Sequence, residues 1–127
     1  MHMDTGNLLK IIKEAAFEVR LNLAPGYLES VYKKALLVEL RNRGLLAEEE
    51  VAIAVSYKGV TVGDFRADIL VEKSVILELK AVREIAPVHE AQLVNYLIAT
   101  GIDYGYLINY GGEKFRIALK SRIYKPS

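Results

Sequence analysis

The sequence contains no cysteine, and this absence excludes both disulfide bonds and cysteine-based zinc sites. A chain without cysteine is compatible with the reducing cytoplasm, and we expect a cytoplasmic location. A bound metal ion would have to be held by oxygen ligands. Such ligands favour Mg²⁺ or Mn²⁺ over structural Zn²⁺.

Long apolar runs and a strong net charge are also absent. No apolar run reaches the length of a membrane span, so no membrane partner is expected. The net charge is +1, which by itself indicates no class of partner. The 127 residues show no repeat and no linker, and they fit a single domain spanning 1–127. We expect residues 1–6 to form a flexible N-terminus.

Three segments have the apolar spacing of three and four residues that is typical of amphipathic helices. The first two are predicted at 8–23 and 27–42, separated by the helix-breaking Pro25-Gly26 corner. The third is predicted between Pro87, which suits a first helical turn, and Gly101, which suits a helix end.

Elsewhere the apolar residues alternate with a period of two, which predicts β-strands. The predicted strands are 51–57, 60–71 with a bulge or turn at Gly63-Asp64, 75–82, 104–110 and 115–119. Two helices, three strands, a crossover helix and two further strands indicate an α/β layered fold with a mixed central sheet.

The most apolar stretch of the chain carries three charged residues at significant positions. Glu78 and Lys80 share one face of a strand whose composition predicts burial. Asp68 would lie beside Glu78 if its strand pairs with the next one as a hairpin. Buried charges must be paired, bound to metal or used in chemistry. This stretch therefore predicts a divalent-metal site with an assisting amine.

Two motifs on predicted helices resemble those of known nuclease-like families. The run Gly26-x-x-Glu29-x-x-Tyr32 resembles the element that names the GxxExxY proteins of bacteria and archaea. Gln92-x-x-x-Tyr96 is similar to the Gln-x-x-x-Tyr helix motif of the RecB-type branch of nucleases.

Asp68, followed by Glu78-x-Lys80, resembles the signature of the PD-(D/E)XK nuclease superfamily, to which GxxExxY proteins are assigned. The resemblance runs from about Leu8 to Ile123. It implies a restriction-endonuclease-like three-layer fold, in which helices flank a mixed central β-sheet.

The resemblance also implies a role for each matching residue. Asp68 and Glu78 would ligate Mg²⁺ or Mn²⁺, together with the backbone carbonyl of Leu79. Glu29 would be an additional acid that holds the ion or its water. Lys80 would activate the attacking water and offset charge on the phosphate, a role that suits a compact ammonium group.

Three further residues are implied as assistants. Gln92 and Tyr96 would steady the catalytic lysine or the scissile phosphate, and Tyr32 would support the site or the substrate. The sequence departs from the family pattern at two places. Arg20 stands where relatives often carry histidine, and Ala24 stands where they often carry glycine.

Simpler interpretations of the same residues remain open from the sequence. Glu78 and Lys80 could form a cross-strand salt bridge, and Glu29 could pair with Lys33 one helical turn away. A basic strip near the C-terminus could meet phosphates or form a solvated edge. It comprises Lys114, Arg116, Lys120, Arg122 and Lys125.

Taken together, these patterns predict a metal-dependent nuclease that hydrolyses phosphodiester bonds, in DNA more than in RNA. The alternative is a non-catalytic or weakly active nuclease-fold binding module that acts in a nucleic-acid-processing complex. A homodimer or larger complex is also implied, since small nucleases of this type gain specificity in that way. A phosphatase or nucleotide-processing enzyme is less favoured, because the sequence lacks a glycine-rich phosphate loop.

Overall fold

A computed structural model of the protein describes residues 3–122. Three helices and five strands follow in the predicted order. They are α1 (Thr5–Asn22), α2 (Glu29–Asn42), β1 (Ala47–Tyr57), β2 (Val60–Val71), β3 (Val75–Lys80), α3 (Pro87–Thr100), β4 (Tyr104–Asn109) and β5 (Arg116–Ser121). Within this part of the chain, no helix is long and apolar enough to cross a membrane.

All five strands form one mixed sheet in the order β1-β2-β3-β4-β5. The β3–β4 pair is parallel, and the other three pairs are antiparallel. Parallel neighbours require a crossover connection, which α3 provides. The predicted α/β class and mixed sheet are confirmed.

Helices cover both faces of the sheet, which gives three layers. The buried cluster on the α1 and α2 side includes Leu77 and Leu79 of β3. The cluster on the α3 side includes Ile76 from the same strand, packed with Leu93 and Leu97. Alternate residues of β3 thus enter opposite cores, as a strand buried on both faces requires.

The first two helices begin at different residues from those predicted. Helix α1 starts at Thr5, where the Asp4 carboxylate accepts the Asn7 N–H (2.9 Å), so it extends into the segment assigned to a flexible N-terminus. Residues 1 and 2 lie outside the described range. Helix α2 begins at Glu29 rather than at residue 27. The helix starts later because Leu28, its N-cap, has an extended backbone with φ of −65° and ψ of 151°.

The chain leaves the sheet after Lys80, two residues earlier than predicted. Asn109, at the end of β4, is almost fully buried, and its side chain forms hydrogen bonds with both backbone polar groups of Val82. Its Oδ1 accepts the Val82 N–H (3.1 Å), and its Nδ2 donates to the Val82 carbonyl (2.8 Å). The loop after β4 approaches so closely that a Cβ on Gly111 would lie 2.4 Å from the Val82 nitrogen. Tertiary contacts therefore fix the exit of β3.

Arg20 joins α1 to this same loop. Its guanidinium donates to the carbonyl oxygens of Tyr110 (2.9 Å) and Gly112 (3.2 Å). Charged donors bound to buried carbonyls are among the stronger protein hydrogen bonds. The departure from histidine at this position therefore has a structural role in the protein.

The β1–β2 hairpin reaches beyond the rest of the sheet. Its pairing runs from Ala47–Val71 to Tyr57–Val60, whereas β3 pairs only with 69–71 of β2. The remaining part is a two-stranded arm. Its register shifts between residues 55 and 56, opposite Gly63, next to the predicted irregularity.

Candidate active site

Two carboxylates meet where β2 and β3 diverge. The β2–β3 register, which includes the Ile69–Leu77 pair, brings Asp68 beside Glu78. The Asp68 backbone N–H donates to Glu78 Oε1 (3.1 Å). The Leu79 backbone N–H donates to Asp68 Oδ2 (2.8 Å). Each carboxylate is thus oriented by a backbone group of the other strand, and the hairpin arrangement predicted from the sequence is confirmed.

Burial makes this carboxylate pair electrostatically costly. Glu78 is only 6% exposed. Desolvation is the main cause that raises its pKa to about 8, and the negative charge of Asp68 adds to it. The Asp68 N–H and the charge of Lys80 oppose the rise. A site of this kind favours either a bound proton or a bound cation.

Lys80 follows on the same side of β3 and is half-buried. It forms no ion pair with any residue between 3 and 122, so the cross-strand salt bridge with Glu78 is not formed. Its positive charge nevertheless lowers the pKa of both Glu78 and Glu29. The ammonium group is therefore near the carboxylates without being neutralised by them.

Glu29 reaches the same region from the first turn of α2. Burial raises its pKa most, followed by the charge of Asp68, while Lys80 opposes the rise. The suggested pair with Lys33 is not formed, because Lys33 pairs with Glu50 of β1 instead. Glu29 therefore lies near the carboxylate pair and forms no ion pair with Lys33, although the charge of Lys33 also lowers its pKa.

The ligand set for a metal ion is only partly assembled. In the described range, no three His, Asp or Glu side chains are placed together to hold one ion. The structure brings Asp68 and Glu78 together and leaves Glu29 at longer range. A buried and a half-buried carboxylate still fit a hard divalent cation, because Mg²⁺ is usually bound through one or two carboxylates and keeps several waters. Leu79 lies between Glu78 and Lys80, and its side chain is fully buried.

Helix α3 contributes Gln92 and Tyr96 as a hydrogen-bonded pair. Gln92 Nε2 donates to the Tyr96 hydroxyl oxygen (2.9 Å). Burial raises the pKa of Tyr96, and the charges of Glu78 and Asp68 raise it further. Neither side chain bonds to a lysine in the part of the chain described. The pair borders the site, since the charges of Glu78 and Asp68 act on Tyr96. Because the Tyr96 hydroxyl accepts from Gln92, its own O–H proton can be donated to another group.

Tyr32 is fully buried and supports the corner between α1 and α2. Its hydroxyl donates to the Ala24 carbonyl (2.6 Å) and accepts the Tyr27 N–H (3.1 Å). Its ring stacks on that of Tyr110, with centroids 4.8 Å apart and planes 4° from parallel. Such burial makes Tyr32 a supporting residue for the helix that carries Glu29.

Three residues near the site were not assigned a role from the sequence. Asn109 and Arg20 fix the chain just beyond β3, as described above. His89 accepts the Ala86 N–H at Nδ1 (3.0 Å) and lies close enough to Glu29 to lower its pKa. The sequence does contain a signal for Asn109, because a polar residue at the end of an apolar strand indicates a buried side chain that needs hydrogen-bond partners.

The basic C-terminal strip is partly neutralised. Lys120 and Arg122 form ion pairs with acids on α3 and before β4, at 2.7 and 2.9 Å. Lys114 and Arg116 line a cleft of about 580 Å³ beside the loop that follows β3. Lys125 lies outside the described residues. Only part of the strip is therefore available to meet phosphates.

The high pKa of Glu78 leads to a prediction about stability. Between its ordinary value of 4.5 and about 8, the folded protein holds a proton that the unfolded chain has lost. The free energy of unfolding of the metal-free protein should therefore fall as the pH rises through this window, by on the order of 5 kcal/mol. Glu78→Gln cannot ionise and should not show this fall. Chemical denaturation in EDTA from pH 5 to pH 9 measures both.

An exposed carboxylate provides the matched control for this experiment. Glu84→Gln removes a similar charge from the loop after β3, and it should retain the pH dependence of the parent. Parallel stability curves for the parent and Glu78→Gln would contradict the prediction.

Comparison with known proteins finds a matching family model and similar solved structures. The family model described as the PD-(D/E)XK nuclease superfamily matches residues 6–121. The fold is similar to the crystal structure of SSO0001, with a TM-score of 0.55 and 22% sequence identity over 72% of this chain. The match covers 48% of SSO0001, so the chain spans about half the length of that protein. No curated protein matches the chain in sequence.

Proposed function

The chain belongs to the PD-(D/E)XK nuclease superfamily, and from this premise we propose that it is a divalent-metal-dependent nuclease. The proposed reaction is hydrolysis of phosphodiester bonds, in DNA in preference to RNA. The observation that carries the proposal is the reciprocally bonded Asp68–Glu78 pair beside the unpaired Lys80. A buried glutamate beside a second carboxylate and an unpaired lysine lowers stability, and such arrangements are typical of functional sites.

Asp68 and Glu78 would hold Mg²⁺ or Mn²⁺, with the backbone carbonyl of Leu79 as a third ligand. When bound, such an ion acidifies water and neutralises charge on the phosphate. The orientation of both carboxylates by backbone N–H groups supports this role, because preorganised ligands need little rearrangement. Glu29 would act at longer range, by accepting a hydrogen bond from a water of the ion.

Lys80 would orient the attacking water and stabilise the negative charge that develops on the phosphate. Its ammonium group has no carboxylate partner in residues 3–122, so substrate binding does not require a salt bridge to break. The Tyr96 O–H, whose oxygen already accepts from Gln92, would donate to a phosphate oxygen.

The proposal is tested by a cleavage assay on single-stranded, duplex, nicked and branched DNA and on the corresponding RNA. We expect cutting with Mg²⁺ or Mn²⁺ and none in EDTA. Glu78→Gln, purified in the same way, should be inactive and thereby exclude a contaminating nuclease. The proposal fails if no substrate is cut, or if Glu78→Gln cuts as fast as the parent.

A non-catalytic binding module is the second candidate function. The observation that favours it is that only two carboxylates are gathered at the site in residues 3–122. Calorimetric titration with Mg²⁺ and Mn²⁺ separates the two candidates. A folded protein that binds nucleic acid but takes up neither ion at millimolar concentration would be such a module, acting within a homodimer or a larger complex.

A further inference from the structure

A second cavity lies beside the candidate active site, between α3 and the β1–β2 arm. Its volume is about 860 Å³, within the range of sites that hold small organic groups. Half of its lining residues are apolar and aliphatic. The polar and aromatic ones are Ser56, Phe65, His89, Gln92, Asn95 and Tyr96.

The cavity adjoins the candidate active site through two shared residues. Gln92 and Tyr96, the hydrogen-bonded pair that borders the carboxylates, also form one wall of the cavity. A nucleic-acid strand with a phosphate at Lys80 would therefore have an adjoining nucleotide within reach of this cavity. This inference rests on the proposed nuclease function.

The chemistry of the lining suits an uncharged planar group rather than a phosphate. No lysine, arginine, aspartate or glutamate lines the cavity in the described part of the chain. Phe65 presents an aromatic ring to the cavity, and the residue is 42% exposed. Aromatic rings and amide groups are the pair of features with which proteins bind unstacked bases.

Two neighbouring residues define the position of the Phe65 ring. The ring lies 5.5 Å from the ring of Tyr96, at an angle of 42°. A Cβ on Gly63 would come within 2.8 Å of Phe65 Cε2, so the glycine leaves the space that the ring occupies. The exposed ring face is therefore positioned by the fold before any ligand arrives.

Polar groups at the cavity provide hydrogen-bonding capacity without charge. The Asn95 amide is exposed and forms no hydrogen bond within residues 3–122, and the same holds for the Ser56 hydroxyl. An asparagine amide can both donate to and accept from the edge of a base.

We propose that this cavity binds an unstacked nucleobase of the substrate, stacked on Phe65 with its edge at Asn95. The site would then take nucleic acid that is single-stranded next to the cleaved bond, because a paired base cannot enter. A second copy of the chain is a less suitable occupant. A stable protein interface takes about 800 Å² and roughly 20 to 30 residues from each partner, whereas twelve of the described residues line this cavity.

The test measures binding of a fluorescent single-stranded oligothymidylate and of a matched duplex, with Ca²⁺ replacing Mg²⁺ and again in EDTA. Phe65→Ala should weaken single-strand binding about tenfold and leave duplex binding unchanged, because it removes one stacking platform. Phe65→Trp should bind like the parent, whereas Phe65→Leu should bind like Phe65→Ala. Gly63→Ala, which displaces the ring, should also weaken single-strand binding.

A single-stranded oligonucleotide with one abasic position shows whether the contribution of Phe65 to binding comes from contact with a base. The parent should lose affinity when the abasic position falls in the cavity, and Phe65→Ala should lose nothing more for that strand. Tyr57→Ala is the control, since Tyr57 is an exposed aromatic residue of the same hairpin outside the cavity lining. Circular dichroism confirms that each variant is folded.

The proposal is overturned if the folded Phe65→Ala variant binds single strands like the parent, or if Phe65→Leu restores binding. It is also overturned if the parent binds no single strand. Sedimentation provides the remaining outcome: a dimer lost in Phe65→Ala without a change in strand affinity would assign the cavity to a second copy of the chain. None of these readouts needs cleavage, so they are independent of the nuclease assay.

Discussion

Replacing Lys80 with alanine is expected to lower the rate of phosphodiester cleavage by about 100- to 1,000-fold, the usual cost of removing a group that stabilises transition-state charge. The side chain is half-buried beside Glu78 and has no ion-pair partner among residues 3–122. No ion pair in the described residues therefore neutralises the Lys80 charge before substrate binds. Single-turnover cleavage at saturating substrate and Mg²⁺ measures the chemical step directly.

The matched control for Lys80→Ala is Lys73→Ala. Lys73 is 67% exposed in the β2–β3 turn and pairs with Glu48, so its loss should leave the rate unchanged. Lys80→Arg retains the charge but replaces a compact ammonium with a planar group, and it should recover only part of the activity. Equal rates for Lys80→Ala and Lys73→Ala would remove Lys80 from the mechanism.

The order of the elements could be predicted from the sequence because each one has a clear local period. The ends of the elements could not, because contacts distant in sequence determine them. Helix α2 begins only after the turn that contains Gly26. Strand β3 ends where the Asn109 side chain forms hydrogen bonds with the backbone N–H and carbonyl of Val82. No local pattern around residue 82 contains the information that a residue 27 positions later will bind it.

The candidate site shows the same division between local and distant information. Strand alternation predicted that Asp68 and Glu78 meet, and helical spacing placed Gln92 one turn before Tyr96. The partner of Lys33 was beyond such reasoning. Spacing suggested Glu29, but the actual partner is Glu50 on β1, which only the folded chain brings near. Because Lys33 pairs with Glu50, Glu29 forms no ion pair with Lys33 and lies near the carboxylate pair.

The structure also gives a physical meaning to the Gly-x-x-Glu-x-x-Tyr motif. Gly26 adopts a positive φ that starts the corner, and Glu29 is the first residue of the helix that follows. Tyr32 closes the corner, because its hydroxyl bonds both to Ala24 and to Tyr27. The three conspicuous residues of the motif thus turn the chain, present a carboxylate and hold the turn in place.

Tyr32→Ala is accordingly expected to lower the free energy of unfolding by about 3–5 kcal/mol, as for other buried aromatic residues that are truncated to alanine. The substitution removes the ring stacked on Tyr110 and both hydrogen bonds of the corner. Tyr32→Phe retains the ring and loses only the hydroxyl, so its cost should be about 1–3 kcal/mol. Urea denaturation at a fixed pH measures both variants against the parent.

Tyr57→Ala, which removes an aromatic residue that is 64% exposed, should remain within about 0.5 kcal/mol of the parent and serves as the control. The Tyr32→Phe variant is the more informative one for function. If the hydroxyl holds the corner that presents Glu29, cleavage by the folded variant should weaken while single-strand binding in EDTA stays unchanged. A Tyr32→Phe variant with the stability and cleavage rate of the parent would mean that packing of the ring alone positions Glu29, and that the two hydrogen bonds at the corner do not contribute.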